Sequence, residues 1–404
     1  SKRRSASAER SKKRRKKAAE PPPEEAAPES APPPPSVDKG TARKHLLLVA
    51  LGGAAQCLGY AGFSWWPFAL FCFLPMFYVV DAEPNASGKR LLRLGLTHGF
   101  VAYTGGYYWL VEMLKSFSGF NEALCWLMAS VFFLYQGGQQ MLIYWLYGKA
   151  RRRGFGVTIS GIAALLALEL SYPVLFPSFL ATGFHDVVPL LQVADLGGPM
   201  LLSAVIMGIN GALYETIVAR RAGTALPRRT VAVVAAALVA TLGYGLFRMH
   251  QVDARAAEAR HLEVGMVQVN MGIFDKHGDP FLGHRRHLSQ SADLVAEHPE
   301  IELLVWPESA YTFFLPPGMT NVKRRVLGQV DVPTVFGGLA RREVDGEERH
   351  YNTAFLVDGD GEILGTYDKT YLLAFGEYLP LGDVFPILYD WSPNTGHFTP
   401  GDHV

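Results

Sequence analysis

Long apolar runs separated by short polar breaks occupy the chain from about residue 45 to residue 250. Each run approaches the roughly 20 residues that an α-helix needs to cross a bilayer. The second run is short, and GFSWWPF at 62–68 predicts a tight turn with Trp65 and Trp66 at the membrane interface. The pattern as a whole predicts a bundle of seven membrane spans, at 45–63, 65–80, 92–114, 122–148, 157–176, 196–217 and 229–248.

Lysine and arginine clusters mark alternate ends of these runs. A basic tail precedes the first span, and SGKRLLR, GKARRRG and ARRAGTALPRR follow the second, fourth and sixth spans. Because short cytoplasmic loops carry the excess of positive charge, the pattern predicts a cytoplasmic N-terminus. With seven spans, everything after residue 250 would then lie on the opposite side of the membrane.

After residue 250 the long apolar runs are replaced by short segments, in which apolar residues either alternate with polar ones or follow one another directly. LEVGMVQVN at 262–270, IELLVWPESA at 301–310 and VPTVFGGLA at 332–340 predict strands, and 282–295 has mostly helical spacing. Residues 351–373 predict a hairpin around the Asp-Gly turn at 358–361, where turn formation explains Asp358 and Asp360 better than calcium binding does. The order of elements predicts a layered α/β domain with sites at strand ends.

Composition supports this division. The chain has 404 residues, 49% of them hydrophobic and 19% charged, which is more apolar than an ordinary soluble protein. Residues 1–37 are a basic block followed by a Pro/Ala/Glu block that cannot bury enough apolar surface to fold. We therefore expect a disordered cytoplasmic tail over 1–44, a transmembrane bundle over 45–250 and a soluble domain over 251–404.

Polar side chains within the apolar runs are possible functional groups, because ionisable groups in hydrocarbon are costly. Glu112 and Glu169 lie near predicted outer ends of spans, and for these two substrate contact, hydrogen bonding between helices and exposure at the interface remain alternatives. The three cysteines, Cys57, Cys72 and Cys125, all lie in apolar stretches and are interpreted as small core residues. The polar positions are Glu112, Gln136, Gln139, Gln140, Glu169 and Asn210.

Glu308 and Lys369 are the strongest candidates for chemistry. Glu308 directly follows a buried-looking strand, where partial desolvation of its carboxylate would favour action as a base. Lys369 lies in YDKTYLLAFGEYLP, at another predicted strand end, although a snorkelling surface lysine would fit the same stretch. A base and a fixed cation are the usual accessories of an acyl-transfer nucleophile. No metal-binding, phosphate-binding or dinucleotide motif accompanies them.

VGMVQVN, LLVWPESA, YDKTYLLAFGEYLP and the seven apolar runs together resemble the bacterial apolipoprotein N-acyltransferases, membrane-anchored members of the nitrilase superfamily. The resemblance covers the chain from about residue 45 onward. It implies an αββα sandwich facing the periplasm, with Glu308 as general base, Lys369 as the oxyanion-stabilising cation and Glu377 as a supporting glutamate.

The family's nucleophilic cysteine belongs to a CYE-type motif, and no cysteine follows Cys125 in this sequence. We therefore expect 251–404 to be the N-terminal part of the sandwich, in a chain truncated before the nucleophile. A natural short form without activity is the alternative.

The resemblance also implies a reaction. A phospholipid such as phosphatidylethanolamine would donate an acyl chain through a thioester, and the N-terminal diacylglyceryl cysteine of an apolipoprotein would accept it at the bacterial inner membrane. No cofactor, metal or nucleic acid is expected. Two alternatives stay open: a membrane-tethered amidase or nitrilase, and a catalytically inactive membrane protein that binds lipoproteins.

Overall fold

The computed structural model describes residues 38–60, 62–272, 279–392 and 395–402. The chain divides into two compact units, Ser1–Thr41 and Ala42–Val404. Most of the predicted tail over 1–44, namely residues 1–37, lies outside the described residues. In the first unit, the Asp38 carboxylate accepts hydrogen bonds from the backbone N–H groups of Gly40 and Thr41.

Each of the seven predicted spans contains helical residues. Among the described residues, however, only two helices are long and apolar enough to cross a membrane, Ala194–Ala222 and Arg228–Glu258, so the count of seven spans is not confirmed. The α-helices before the sheet are α1 (Lys39–Leu58), α2 (Leu74–Ala82), α3 (Gly88–Gly106), α4 (Leu110–Ser118), α5 (Glu122–Arg152), α6 (Val157–Ser171), α7 (Val188–Leu191), α8 (Ala194–Ala222) and α9 (Arg228–Glu258).

The second predicted span is not one continuous helix. Trp66–Leu70 forms a 3₁₀ turn, and α2 starts only at Leu74. Each piece carries a proline, Pro67 or Pro75, in its first turn, where the missing N–H is tolerated, whereas a helix running through these residues would lose hydrogen bonds. The buried Asn210 side chain of α8 satisfies the backbone at the break, because it accepts from Phe73 N–H at 3.0 Å and donates to the Ala69 carbonyl at 2.9 Å.

The third predicted span is also divided. Helix α3 ends at Gly106, and α4 carries Glu112 on its exposed side, where the carboxylate forms an ion pair with Lys115 at 2.9 Å.

Hydrogen bonding between chain segments accounts for two other polar side chains in the helical region. Gln139 of α5 accepts from the Tyr103 hydroxyl at 2.8 Å, and Glu169 of α6 accepts from the Leu180 backbone N–H at 2.8 Å.

The C-terminal part contains a six-stranded mixed sheet. Its strands are β1 (Val264–Met266), β2 (Leu303–Val305), β3 (Tyr311–Leu315), β4 (Thr334–Val344), β5 (Glu347–Val357) and β6 (Ile363–Asp368). The main order is β1-β2-β4-β5-β6, with β3 also pairing with β4. Strands β1, β2, β3 and β4 are mutually parallel where they pair, and β5 is antiparallel to both β4 and β6.

Two Asp-Gly turns join the last three strands. The predicted hairpin is confirmed: Asp358 accepts from the Glu362 N–H at 2.8 Å, and Gly361 has a φ of 82°. The first hairpin, in which Val344 pairs with Glu347 across Asp345 and Gly346, was not predicted. Both loop residues have positive φ, 56° and 81°, as the common two-residue hairpin turn requires.

One face of the sheet packs on an apolar core that includes Phe336 of β4 and Phe355 of β5, whose rings stack at 5.1 Å. The predicted helix is confirmed as α10 (Leu282–Glu297), which adds Leu288 and Leu294 to this core. A short α11 follows the sheet at Ile387–Trp391. The predicted two-sheet αββα sandwich is not confirmed by the single sheet that the described residues form.

Candidate functional site

Glu308 lies just beyond the carboxyl end of β2, as the sequence predicts. Strand β2 is parallel to β4, and the hydrogen bond from Trp306 N–H to the Val335 carbonyl, at 2.8 Å, extends this pairing beyond its end. Trp306 is buried and donates from its ring to the Ser291 hydroxyl at 2.9 Å, which anchors the start of the loop. The Glu308 side chain is 60% exposed, so it keeps contact with water while the rest of its surface is covered.

Lys369 follows β6, on the far side of β5 from Glu308. Its backbone N–H donates to the Asn352 carbonyl at 2.8 Å, so the strand pairing continues through this residue. Its ammonium Nζ lies 3.2 Å from Glu308 Oε1 and 2.9 Å from Glu377 Oε1. Partial burial acts to lower the pKa of Lys369, but hydrogen bonds and charges from the two glutamates outweigh burial and raise the pKa above its ordinary value. The ammonium is therefore bound inward rather than snorkelling.

Glu377 is the more buried glutamate, with a side chain 12% exposed. A tight turn holds it, since its Oε2 accepts from the Leu373 N–H at 2.6 Å and its own N–H donates to the Leu373 carbonyl at 2.8 Å. The close sequence spacing of Lys369 and Glu377 thus follows from one compact loop that returns the carboxylate to the ammonium.

Asn352 of β5 completes the cluster and is not among the residues predicted from the sequence. Its side-chain nitrogen Nδ2 donates to Glu308 Oε1 at 2.6 Å and to Glu377 Oε1 at 2.7 Å. Asn352 is only 8% exposed. An asparagine inside a strand is unusual, since this residue is depleted in strands, and that departure was the available signal.

The residue before Lys369 is also fixed. Asp368 forms a two-pronged ion pair with Arg342 of β4 and accepts from the Thr353 hydroxyl at 2.7 Å. Planar guanidinium groups match carboxylates in this way, which gives the contact geometric specificity. The end of β6 is therefore held by side chains as well as by the sheet.

Three cavities adjoin the cluster, and one of about 210 Å³ is lined by Pro307, Glu308 and Ser309 among others. A second one of about 280 Å³ is lined by Glu308, Gly337, Asn352 and Lys369 among others. A larger cleft of about 840 Å³ is lined by Thr370 and Tyr378, the neighbours of Lys369 and Glu377. Val174 and Leu175, from the loop after α6, line the same cleft. The cleft therefore connects the surroundings of the cluster to the helical part of the chain.

The three cysteines are in the helical part and are buried, as expected: Cys57 in α1, Cys72 before α2 and Cys125 in α5. Within the described residues, no group of three or more His, Cys, Asp or Glu side chains could hold a metal ion. The arrangement at the sheet instead offers an accessible carboxylate that can take up a proton and a fixed ammonium that can stabilise a developing negative charge.

The fold and the site together define a class: a chain with long apolar helices joined to a sheet domain that carries an enzyme-like Glu-Lys-Glu cluster. Residues 52–212 match the family model described as "Apolipoprotein N-acyltransferase N-terminal domain". The helical part of the chain is thus similar to the N-terminal domain of the apolipoprotein N-acyltransferases.

Relatives with that name extend the similarity beyond the helical part. The protein of Geobacter metallireducens is 27% identical over 90% of this chain and 70% of its own length, and that of Bdellovibrio bacteriovorus is 28% identical over 87% and 67%. The protein of Pseudomonas putida is 29% identical over 84% of this chain and 66% of its own length. The matched region thus spans about two thirds of each relative.

Proposed function

We propose that this protein transfers an acyl chain from a phospholipid to the N-terminal amine of a diacylglyceryl cysteine on an apolipoprotein. The names of its relatives support a role in lipoprotein N-acylation. One structural observation carries the proposal: Lys369 Nζ contacts Glu308 at 3.2 Å and Glu377 at 2.9 Å, as the family resemblance implies for a base, a cation and a supporting glutamate.

In the proposed mechanism Glu308 accepts the proton of a cysteine thiol, the nucleophile that the family resemblance implies. The thiolate attacks the acyl ester of a phospholipid such as phosphatidylethanolamine, and Lys369 stabilises the tetrahedral oxyanion. The lysophospholipid leaves with a proton, and a thioester remains. The apolipoprotein amine then attacks the thioester, Glu308 accepts its proton, and the thiolate is released. Glu377 keeps Lys369 in place throughout.

Both substrates are amphiphiles, which favours a site beside a membrane. We place the seven helical runs in a bacterial inner membrane, with a cytoplasmic N-terminus, and 251–404 as the catalytic domain in the periplasm. The cleft shared by Val174, Leu175 and Thr370 supports this arrangement, because it joins the cluster to a loop of the helical part. Confinement to one membrane raises the effective concentration of both substrates.

The test uses the full-length protein in phosphatidylethanolamine proteoliposomes with a diacylglyceryl-cysteine peptide. Mass spectrometry should show a gain of one acyl chain on the peptide. Glu308→Gln and Lys369→Ala should each reduce the rate at least about 100-fold, since one removes the base and the other the oxyanion cation. Glu297→Gln, an exposed substitution in α10, should leave the rate unchanged.

The possible failures separate the alternatives. Release of free fatty acid or ammonia without peptide acylation would indicate a hydrolase. Lipopeptide binding without any reaction would indicate a non-enzymatic binding protein. Near-normal transfer by either site variant would remove the role assigned to that residue.

A further inference from the structure

The side chains of the candidate site form a closed ring of hydrogen bonds. Lys369 Nζ donates to Glu308 Oε1 and Glu377 Oε1, and Asn352 Nδ2 donates to the same two oxygen atoms. Donors and acceptors therefore alternate around four atoms, with separations of 3.2, 2.9, 2.7 and 2.6 Å. The two shortest contacts are those of the asparagine.

The charges explain why a neutral donor belongs at this position. With both glutamates ionised, two negative charges face one ammonium, and like charges at this range oppose each other's ionisation. A primary amide has two N–H groups on one nitrogen, so Asn352 can serve both carboxylates at once. Serine or threonine would supply one donor, ionised aspartate would supply none, and each would leave a carboxylate without a bond from β5.

The backbone of β5 makes this donor rigid. Asn352 is 8% exposed and pairs with Leu339 of β4, and its carbonyl accepts from the Lys369 N–H at 2.8 Å. One residue thus fixes the backbone of Lys369 and the side chains of both glutamates. Gly337 lies on the same face of β4 as Leu339, two positions away, and its lack of a side chain leaves room for Glu308.

We propose that Asn352 is a positioning residue for the acyl transfer, acting by holding Glu308 and Glu377 on either side of Lys369. This inference rests on the proposed function for its kinetic consequence. Held by the amide, Glu308 presents one fixed orientation to an incoming thiol or amine even though its side chain is 60% exposed. The amide also favours the ionised form of Glu308, which is the form that accepts a proton.

The experiment compares Asn352→Ala and Asn352→Asp with Asn321→Ala, which removes an exposed asparagine whose amide donates to the Asp360 carbonyl. Steady-state rates are measured across pH in phosphatidylethanolamine proteoliposomes. Asn352→Ala should lower kcat about 10- to 100-fold, leave KM within about twofold and move the acid limb of the profile to higher pH. Asn352→Asp should be less active still at neutral pH and recover partly on acidification, because a protonated carboxyl regains one donor.

A second measurement does not depend on turnover. The rate at which an amine-reactive acetylating reagent modifies Lys369 is followed by mass spectrometry in the folded protein. Asn352→Ala should increase that rate, because Glu308 is no longer held against the ammonium, while Asn321→Ala should not. If no variant or parent protein acylates the peptide, the proposed function fails and the labelling still tests Asn352. Unchanged labelling, or an unchanged kcat and acid limb in an active protein, would overturn the inference.

Discussion

Glu308 and Glu377 contact the same ammonium but differ in exposure. Glu377 is 12% exposed and is bound by the backbone N–H of Leu373, whereas Glu308 is 60% exposed in the loop between β2 and β3. A group that exchanges protons with substrate must be reachable, and a group that only orients a partner need not be. The difference in exposure therefore favours Glu308 as the base and Glu377 as the orienting group.

The raised pKa of Lys369 predicts a pH dependence of stability. A lysine whose pKa is higher in the folded chain stabilises that state below its ordinary pKa of 10.5, and the effect disappears as pH rises through the raised value. Because the side chain is 33% exposed, we expect about 1 kcal/mol or less. At pH 8 the stabilisation by the Lys369 charge is complete. The melting temperature of Lys369→Met should therefore be a few degrees below that of the parent protein.

The same two proteins should converge above pH 11, where the ammonium of the parent protein is being lost. A difference in melting temperature that persists or grows through this range would mean that Lys369 stabilises the fold through packing of its aliphatic chain rather than through its charge.

The elements differ in how far the sequence predicts them. Helical spacing of apolar residues predicts α10, and the Asp-Gly turn at 358–361 predicts the β5–β6 hairpin, because both signals are local in the chain. Pro67 and Pro75 are local signals for the break in the second predicted span, but the partner that satisfies its backbone is Asn210, which lies far along the chain and accepts from Phe73 N–H. Asn352 is likewise brought to Glu308 only by the pairing of strands in the sheet, in which β4 joins β2 to β5. Contacts of this kind are set by tertiary pairing, which local patterns do not encode.

Gly337 of β4 lies close to the Glu308 loop and allows a steric test of the site. A Cβ on Gly337 would lie 2.6 Å from Glu308 Cα and 2.8 Å from the Pro307 carbonyl oxygen, closer than real Cβ contacts allow. Gly337→Ala should therefore push the Glu308 loop away from β4 and destabilise the protein by about 1–3 kcal/mol. The fall in melting temperature should accompany a loss of acyl transfer, because Glu308 moves away from Lys369 and Asn352.

Gly365→Ala is the matched control for this substitution. Gly365 is also a strand glycine, in β6, and a Cβ there would meet nothing within 4 Å. Its melting temperature and activity should stay near those of the parent protein. Equal behaviour of the two variants would show that close approach at Gly337 is not what positions Glu308.

At the scale of the whole molecule, the positions of the basic clusters relative to the helices predict a membrane topology. The basic clusters at 88–93, 149–153 and 219–229 lie at the start of α3, the end of α5 and the α8–α9 connection. Helices α1 and α2 precede the first cluster, α3 to α5 separate the first from the second, and α6 to α8 separate the second from the third. If each interval crosses the membrane twice, these clusters share one side, and α9 carries the sheet domain to the other.

Cysteine labelling tests this topology when peptide mass spectrometry reads each introduced position separately from the nucleophile, and the native Cys57, Cys72 and Cys125 are buried. Thr224→Cys places a thiol in the exposed α8–α9 connection, and Glu297→Cys places one at the exposed end of α10. In cells with a permeabilised outer membrane, a membrane-impermeant maleimide should label residue 297 at once and residue 224 only after lysis. Labelling of both positions before lysis would place them on one side and rule out a crossing by α9. Labelling of residue 224 alone would invert the proposed orientation and leave the sheet domain in the cytoplasm, where a periplasmic acyl acceptor could not reach it.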